Sequence, residues 1–157
     1  MPTTETDLYR AIIDGTFAGD LVVDGEPVAG VLHPRFEETT YFDRNNIERT
    51  SRADVTVLPR ATGDLVDTGG GTSLHDVEGW FGHSGWRYFQ IPGGTEYPAN
   101  LHIRKGKRPT SNRSGKLTGT HYQIEPLNRM TVSAYKGALD NLARNAVVRQ
   151  VALARSK

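Results

Sequence analysis

The chain has 157 residues, 36% of them hydrophobic and 24% charged, with a net charge of +1, 17 glycines and no cysteine. That length holds one domain with a sizeable core. The composition excludes a disulfide framework and a thiolate metal site, and no window approaches the ~20 apolar residues of a membrane helix. Global charge gives no argument for nucleic acid, and the polar, acidic MPTTETDLYR start does not read as a cleaved secretory signal.

Leu8 to Ile13 is a short apolar run holding one arginine and punctuated by Asp14-Gly15, so it reads as a strand or a short buried element. Residues 14 to 70 read as loop-rich, with apolar pieces at Leu21–Val23, Val28–Leu32 and Val55–Leu58. Asp64 and Asp67 read as a turn. Gly69-Gly70-Gly71-Thr72-Ser73-Leu74 leads into the start of a strand or helix. The aromatic run Trp86–Ile91, bounded by Gly85 and Pro92, predicts a strand. Leu101–Lys105 alternates weakly. Arg104 to Lys116 carries six basic residues and no acidic one, and reads as a flexible solvated loop. Thr120–Glu125 is the cleanest alternating strand. A terminal helix follows, capped by Thr131 or Ser133. Its apolar face is Val132, Tyr135, Leu139, Leu142, Ala146 and Val147 or Val148, with Lys136, Asp140 and Arg144 opposite. Several strands before one long helix predict an α+β fold.

Four patterns bear on chemistry. In the Thr120–Glu125 strand, alternation places His121, Gln123 and Glu125 on one face. Such a row can hydrogen-bond a sugar hydroxyl or move a proton, or it can be the wet face of a sheet. The glycine run lets a ligand or another backbone come close beside the Thr72 and Ser73 hydroxyls. Arg10 sits in an apolar run, where a guanidinium needs a partner, either a phosphate or an internal carboxylate. The basic segment lacks the interleaved aromatics of a stacking platform for single strands. His33, His75, His83, His102 and His121 are scattered without metal-ligand spacing.

Seven segments in order resemble one family: LYRA at 8–11, LHPRF at 32–36, Arg52-Ala53, DTGGGTS at 67–73, IPGGTEYP at 91–98, GTHYQI at 119–124 and LDNLARNAVVRQ at 139–150. Together they are similar to the type VI secretion exported effector two toxins, which have an ADP-ribosyltransferase-like fold. Residues 39–50 match nothing in it. The resemblance implies two facing antiparallel sheets around an NAD cleft, with packed helices and the long C-terminal helix. By the same resemblance His121, Thr72, Ser73 and Arg52 are the residues tied to toxicity. Arg10, with Tyr9 beside it, Thr72 and Gln123, would hold NAD. Gln123-Ile124-Glu125 looks like the Gln-x-Glu of many ADP-ribosyltransferases and makes Glu125 a weaker catalytic candidate than His121.

The chemistry so implied starts from NAD as substrate. Arg10 or Arg52 suits its phosphates by a bidentate fork. Thr72 and Ser73 would support the ribose or the neighbouring strand. His121 or Glu125 would bond a ribose hydroxyl, and the carboxylate would steady the developing cation. The expected activity is an antibacterial toxin moving ADP-ribose to a target in the cytoplasm of the receiving bacterium, with an immunity protein guarding the producer. The basic segment, through Lys105, Lys107, Arg108 and Arg113, would favour a phosphate-rich acceptor such as RNA. The alternatives are an NAD glycohydrolase, a toxin that only binds NAD or a partner, a metal-independent ribonuclease built on His102, His121, Lys105 and Arg104, and a non-enzymatic nucleic-acid-binding module.

Overall fold

A computed structural model describes residues 1–13 and 15–156; Asp14, read above as punctuation, lies outside them. In chain order the strands are β1 (Leu8–Ile12), β2 (Val22–Val23), β3 (Glu26–Pro27), β4 (Thr39–Phe42), β5 (Glu48–Ser51), β6 (Val57–Leu58), β7 (Leu65–Val66), β8 (Thr72–His75), β9 (Arg87–Ile91), β10 (Leu101–Lys105), β11 (Thr110–Ser111), β12 (Thr118–Gly119), β13 (His121–Pro126) and β14 (Met130–Thr131), and α1 (Val132–Arg155) ends the chain. The main sheet is antiparallel throughout, in the order β10-β13-β8-β1-β9. A second sheet has the order β14-β7-β6, and β2-β3, β4-β5 and β11-β12 are two-stranded.

Alternation along the strands builds the core. Leu8 and Ile12, Leu74, Phe89 and Ile91, and Tyr122 and Ile124 pack in one buried cluster with Tyr135, Leu139, Leu142 and Ala146 of α1. The two alternatives for the helix face resolve by burial: Val147 is buried, whereas Val148 is 68% exposed. Thr131 is the cap, its hydroxyl accepting from the Ala134 amide at 3.1 Å, which satisfies one of the free N–H groups of the first turn. Asp140 is not simply solvated, because it binds His33 at 2.7 Å.

The glycine run is explained by backbone rather than by ligand. A Cβ on Gly71 would overlap the Ile124 carbonyl of β13, and one on Gly70 would lie 2.5 Å from the Asp54 carbonyl oxygen. Only glycine lets β8 start this close to β13 and to the 54–55 loop.

Three expectations need correction. The described residues hold one α-helix, not several, because every other apolar segment is too short or alternates with period two. Beside the main sheet, the second sheet is small, with two residues in each strand. The basic segment is not a loop throughout: it begins inside β10 and turns back through the β11–β12 hairpin. The unmatched residues 39–50 lie on the exposed β4–β5 hairpin, with Phe42 68% exposed.

Candidate functional site

β1 pairs with β9 along all five of its residues but with β8 only at Tyr9↔His75. The two strands therefore share a short ladder, and Arg10 fills part of the gap. Its Nη1 donates to the Ser73 carbonyl at 3.2 Å, an acceptor that a longer ladder would have used, and its Nη2 donates to the His33 carbonyl at 3.4 Å. Its Nε is buried without a partner. Among the described residues no carboxylate lies within ion-pair distance of it. Burial holds the guanidinium below its ordinary pKa, and the field of Asp54 partly restores it.

A cavity of about 460 Å³ opens here. Arg10, Ser73 and His75 line it from the sheet, His33 and Arg35 from the 30–36 loop, and Trp86 from the segment before β9. The loop is held in three ways. Thr72 is fully buried and donates its hydroxyl to the Leu32 carbonyl at 2.6 Å. Arg10 bonds the His33 carbonyl. The Arg35 amide donates to Asp54 Oδ2 at 2.7 Å.

Register brings a polar row onto one face. Residues paired across antiparallel strands share a face, so Tyr9, His75 and His121 form a line across β1, β8 and β13. Gln123 lies opposite Ser73 on the same face. The His75 ring is 5.3 Å from the His121 ring, stacks on Trp80 at 4.5 Å and meets the edge of Phe81 at 5.5 Å. Burial, with a smaller repulsion from His121, lowers His75 to about 4. Burial and then Arg104 lower His121. Tyr9 is raised by burial and by the charges of Asp7 and Glu78.

Glu125 ends the row in a different setting. It is 7% exposed, paired with Arg104 at 2.8 Å and bonded by Gln123 Nε2 at 3.1 Å. Arg104 and Gln123 both also donate to the Gly69 carbonyl. The sheet thus gathers Tyr9, Ser73, His121, Gln123 and Glu125, and sets Arg10 at the cavity. Arg52 stands apart, exposed just beyond β5 and outside the cavity lining. The arginine beside the cavity from that side of the fold is Arg35, inside the LHPRF segment. The sequence gives no role to His75 or Trp86, since strand register places the first beside His121 and the fold of the segment before β9 places the second at the cavity. Asp64 and Asp67 do not form the turn expected: they flank strand β7 on either side, and Asp67 is bound to Arg129 at 2.9 Å. In the ribonuclease set Arg104 is committed to Glu125.

An antiparallel sheet with a short ladder beside a half-buried arginine, backed by one long helix, fits the ADP-ribosyltransferase class. A family model described as Tse2 ADP-ribosyltransferase toxin matches residues 4–151. The chain belongs to this family and is an ADP-ribosyltransferase toxin. Among curated proteins, Toxin Tse2 of Pseudomonas aeruginosa is 33% identical over 156 residues, covering 94% of this chain and 91% of that protein. No helix is long and apolar enough to cross a membrane among the described residues.

Proposed function

We propose that the cavity at Arg10 binds NAD and that the protein transfers ADP-ribose from it to an acceptor in the cytoplasm of a target bacterium. The observation that supports this most is Arg10 itself. Among the described residues it is a half-buried cation with two carbonyl partners and a buried, unpartnered Nε, beside a cavity. A buried charge is held at a cost unless something neutralises it, and a pyrophosphate does so through the guanidinium fork.

The remaining roles follow from position. Thr72 is a positioning residue that fixes the 30–36 loop against β8. Ser73 lines the cavity, and Tyr9, Gln123 and His121 share its sheet face; together they position the groups that orient the ribose end of the dinucleotide. Glu125, held by Arg104 and Gln123, supplies negative charge near the developing cation. Arg52 is exposed and serves the acceptor side. The basic residues Lys105, Lys107, Arg108, Arg113 and Lys116 run from the edge strand β10 into its following hairpin, and their charge suits a phosphate-rich acceptor such as RNA. A toxin of this kind requires a cognate immunity protein in the cell that makes it, and delivery by a contractile injection system fits the family resemblance.

The test is NAD consumption by the purified protein, with and without bacterial lysate, beside His121→Ala. Loss of NAD that requires His121 is expected, faster with lysate. Consumption without any gain from lysate turns the reading to NAD hydrolysis, and RNA cleavage without NAD replaces it by the ribonuclease.

A further inference from the structure

We infer that His75 is the imidazole that meets the substrate in the cavity, bonding a ribose hydroxyl of the dinucleotide, and that His121 is a positioning residue acting through it. This rests on the reading that the cavity holds NAD. His75 lines the cavity and His121 does not. His121 is instead the direct cross-strand neighbour of His75, with the rings 5.3 Å apart. Two further groups fix the His75 ring: the face of Trp80 at 4.5 Å and the edge of Phe81 at 5.5 Å. A ring stacked on one side and edged on another has few rotamers left, so its free nitrogen is pre-aimed.

The charged and titratable groups around His75 are His121 on β13, Tyr9 on β1, the adjacent Asp76, and Arg10, His33, Arg35 and Asp54 around the cavity. Burial among them keeps His75 neutral near pH 7. A neutral imidazole has one donor and one acceptor, which suits a sugar hydroxyl beside the phosphates held by Arg10. His121 sets which way that ring sits and what charge it feels.

The chain carries two tryptophans, one stacked on His75 and one lining the cavity, so intrinsic fluorescence reports occupancy. NAD is titrated into the unaltered protein, His75→Gln and His121→Asn, and the histidine ring protons are followed by NMR against pH. NAD is expected to quench the unaltered protein and to shift the histidine resonance that titrates near 4. His75→Gln is expected to weaken NAD binding at least five times more than His121→Asn does. His121→Asn is expected to raise the His75 titration midpoint. Where His75→Gln does not fold, the resonance shift in the unaltered protein decides. Quenching with no response from the His75 resonance, or binding that depends on His121 and not on His75, overturns the inference alone. No quenching and no shift in the unaltered protein overturns the cavity reading itself.

Discussion

Replacing Arg10 by methionine separates binding from folding. Among the described residues the guanidinium is bonded only to two carbonyls, at 3.2 and 3.4 Å, and its Nε has no partner. Charged hydrogen bonds of good geometry contribute about 1.5–3 kcal/mol each, and bonds this long fall at or below the lower end. Against them stands a desolvation cost of several kcal/mol for a buried ion. Methionine keeps most of the apolar stem and removes the charge. The expected net change in stability is therefore within about 1 kcal/mol of zero, a melting-temperature shift of about 4 °C or less for a chain of this size. The same change removes a charge-assisted bond to phosphate, about 1.5–3 kcal/mol, so NAD affinity should fall roughly ten- to hundred-and-fifty-fold. Thermal melting and NAD titration on the same sample give both numbers. A loss of more than about 3 kcal/mol of stability with affinity unchanged would refute the reasoning, since Arg10 would then be a structural cation.

Gly71→Ala should cost more than about 4 kcal/mol or prevent folding, because the new methyl overlaps the Ile124 backbone carbonyl; a protein that melts normally would contradict this. Acid should destabilise the fold through the histidine pair. His75 and His121 have folded pKa values below the ordinary 6.5, so the unfolded chain takes up protons first and stability falls as the pH drops from about 6.5 toward about 4. Denaturant midpoints for His75→Phe over that range should show a flatter slope than the unaltered protein. Thr72→Val removes the hydroxyl bond to Leu32 in a fully buried position; about 1–3 kcal/mol of stability should go, and NAD affinity with it, and a Thr72→Ser variant should restore both in part. Neutralising Lys105, Lys107, Arg108 and Arg113 together should slow transfer to the acceptor and reduce its salt dependence while leaving NAD hydrolysis in place; unchanged toxicity would remove these residues from acceptor binding.

Period and punctuation made the strands around Leu8, Trp86 and His121 legible, along with the terminal helix, because each is a run whose spacing matches one structure. The glycine triad was legible as a close approach, though not what approaches: the partners are β13, far along the chain, and the 54–55 loop, and no local pattern names either. Register is the missing quantity. His121, Gln123 and Glu125 share a face by alternation alone, but that His75 stands beside His121 depends on how β8 slides against β13, and one residue of slip would turn it to the core. The split between Val147 and Val148 is of the same kind, since adjacent helix positions differ by 100° and only packing selects one. Arg52 and Arg35 show the reverse failure, where chain proximity to a motif stands in for proximity in space.

The local conflicts of this sequence converge on one place. A guanidinium sits in an apolar strand with no carboxylate at ion-pair distance among the described residues, an imidazole is held neutral between aromatic rings, and two strands share a single pair where their register allows four. Each is unfavourable to the isolated fold, whereas most of the sheet is ordinary, with apolar residues inward and its buried Thr72 and Glu125 hydrogen-bonded. Unfavourable choices scattered at random would read as poor packing. Gathered around one cavity, they fit the proposed binding of an anionic ligand with a sugar, because such a ligand would relieve the charge and the unpaired nitrogen together. The dinucleotide should accordingly raise the melting temperature of the unaltered protein far more than that of Arg10→Met, and equal shifts would show that the strain and the ligand are unrelated.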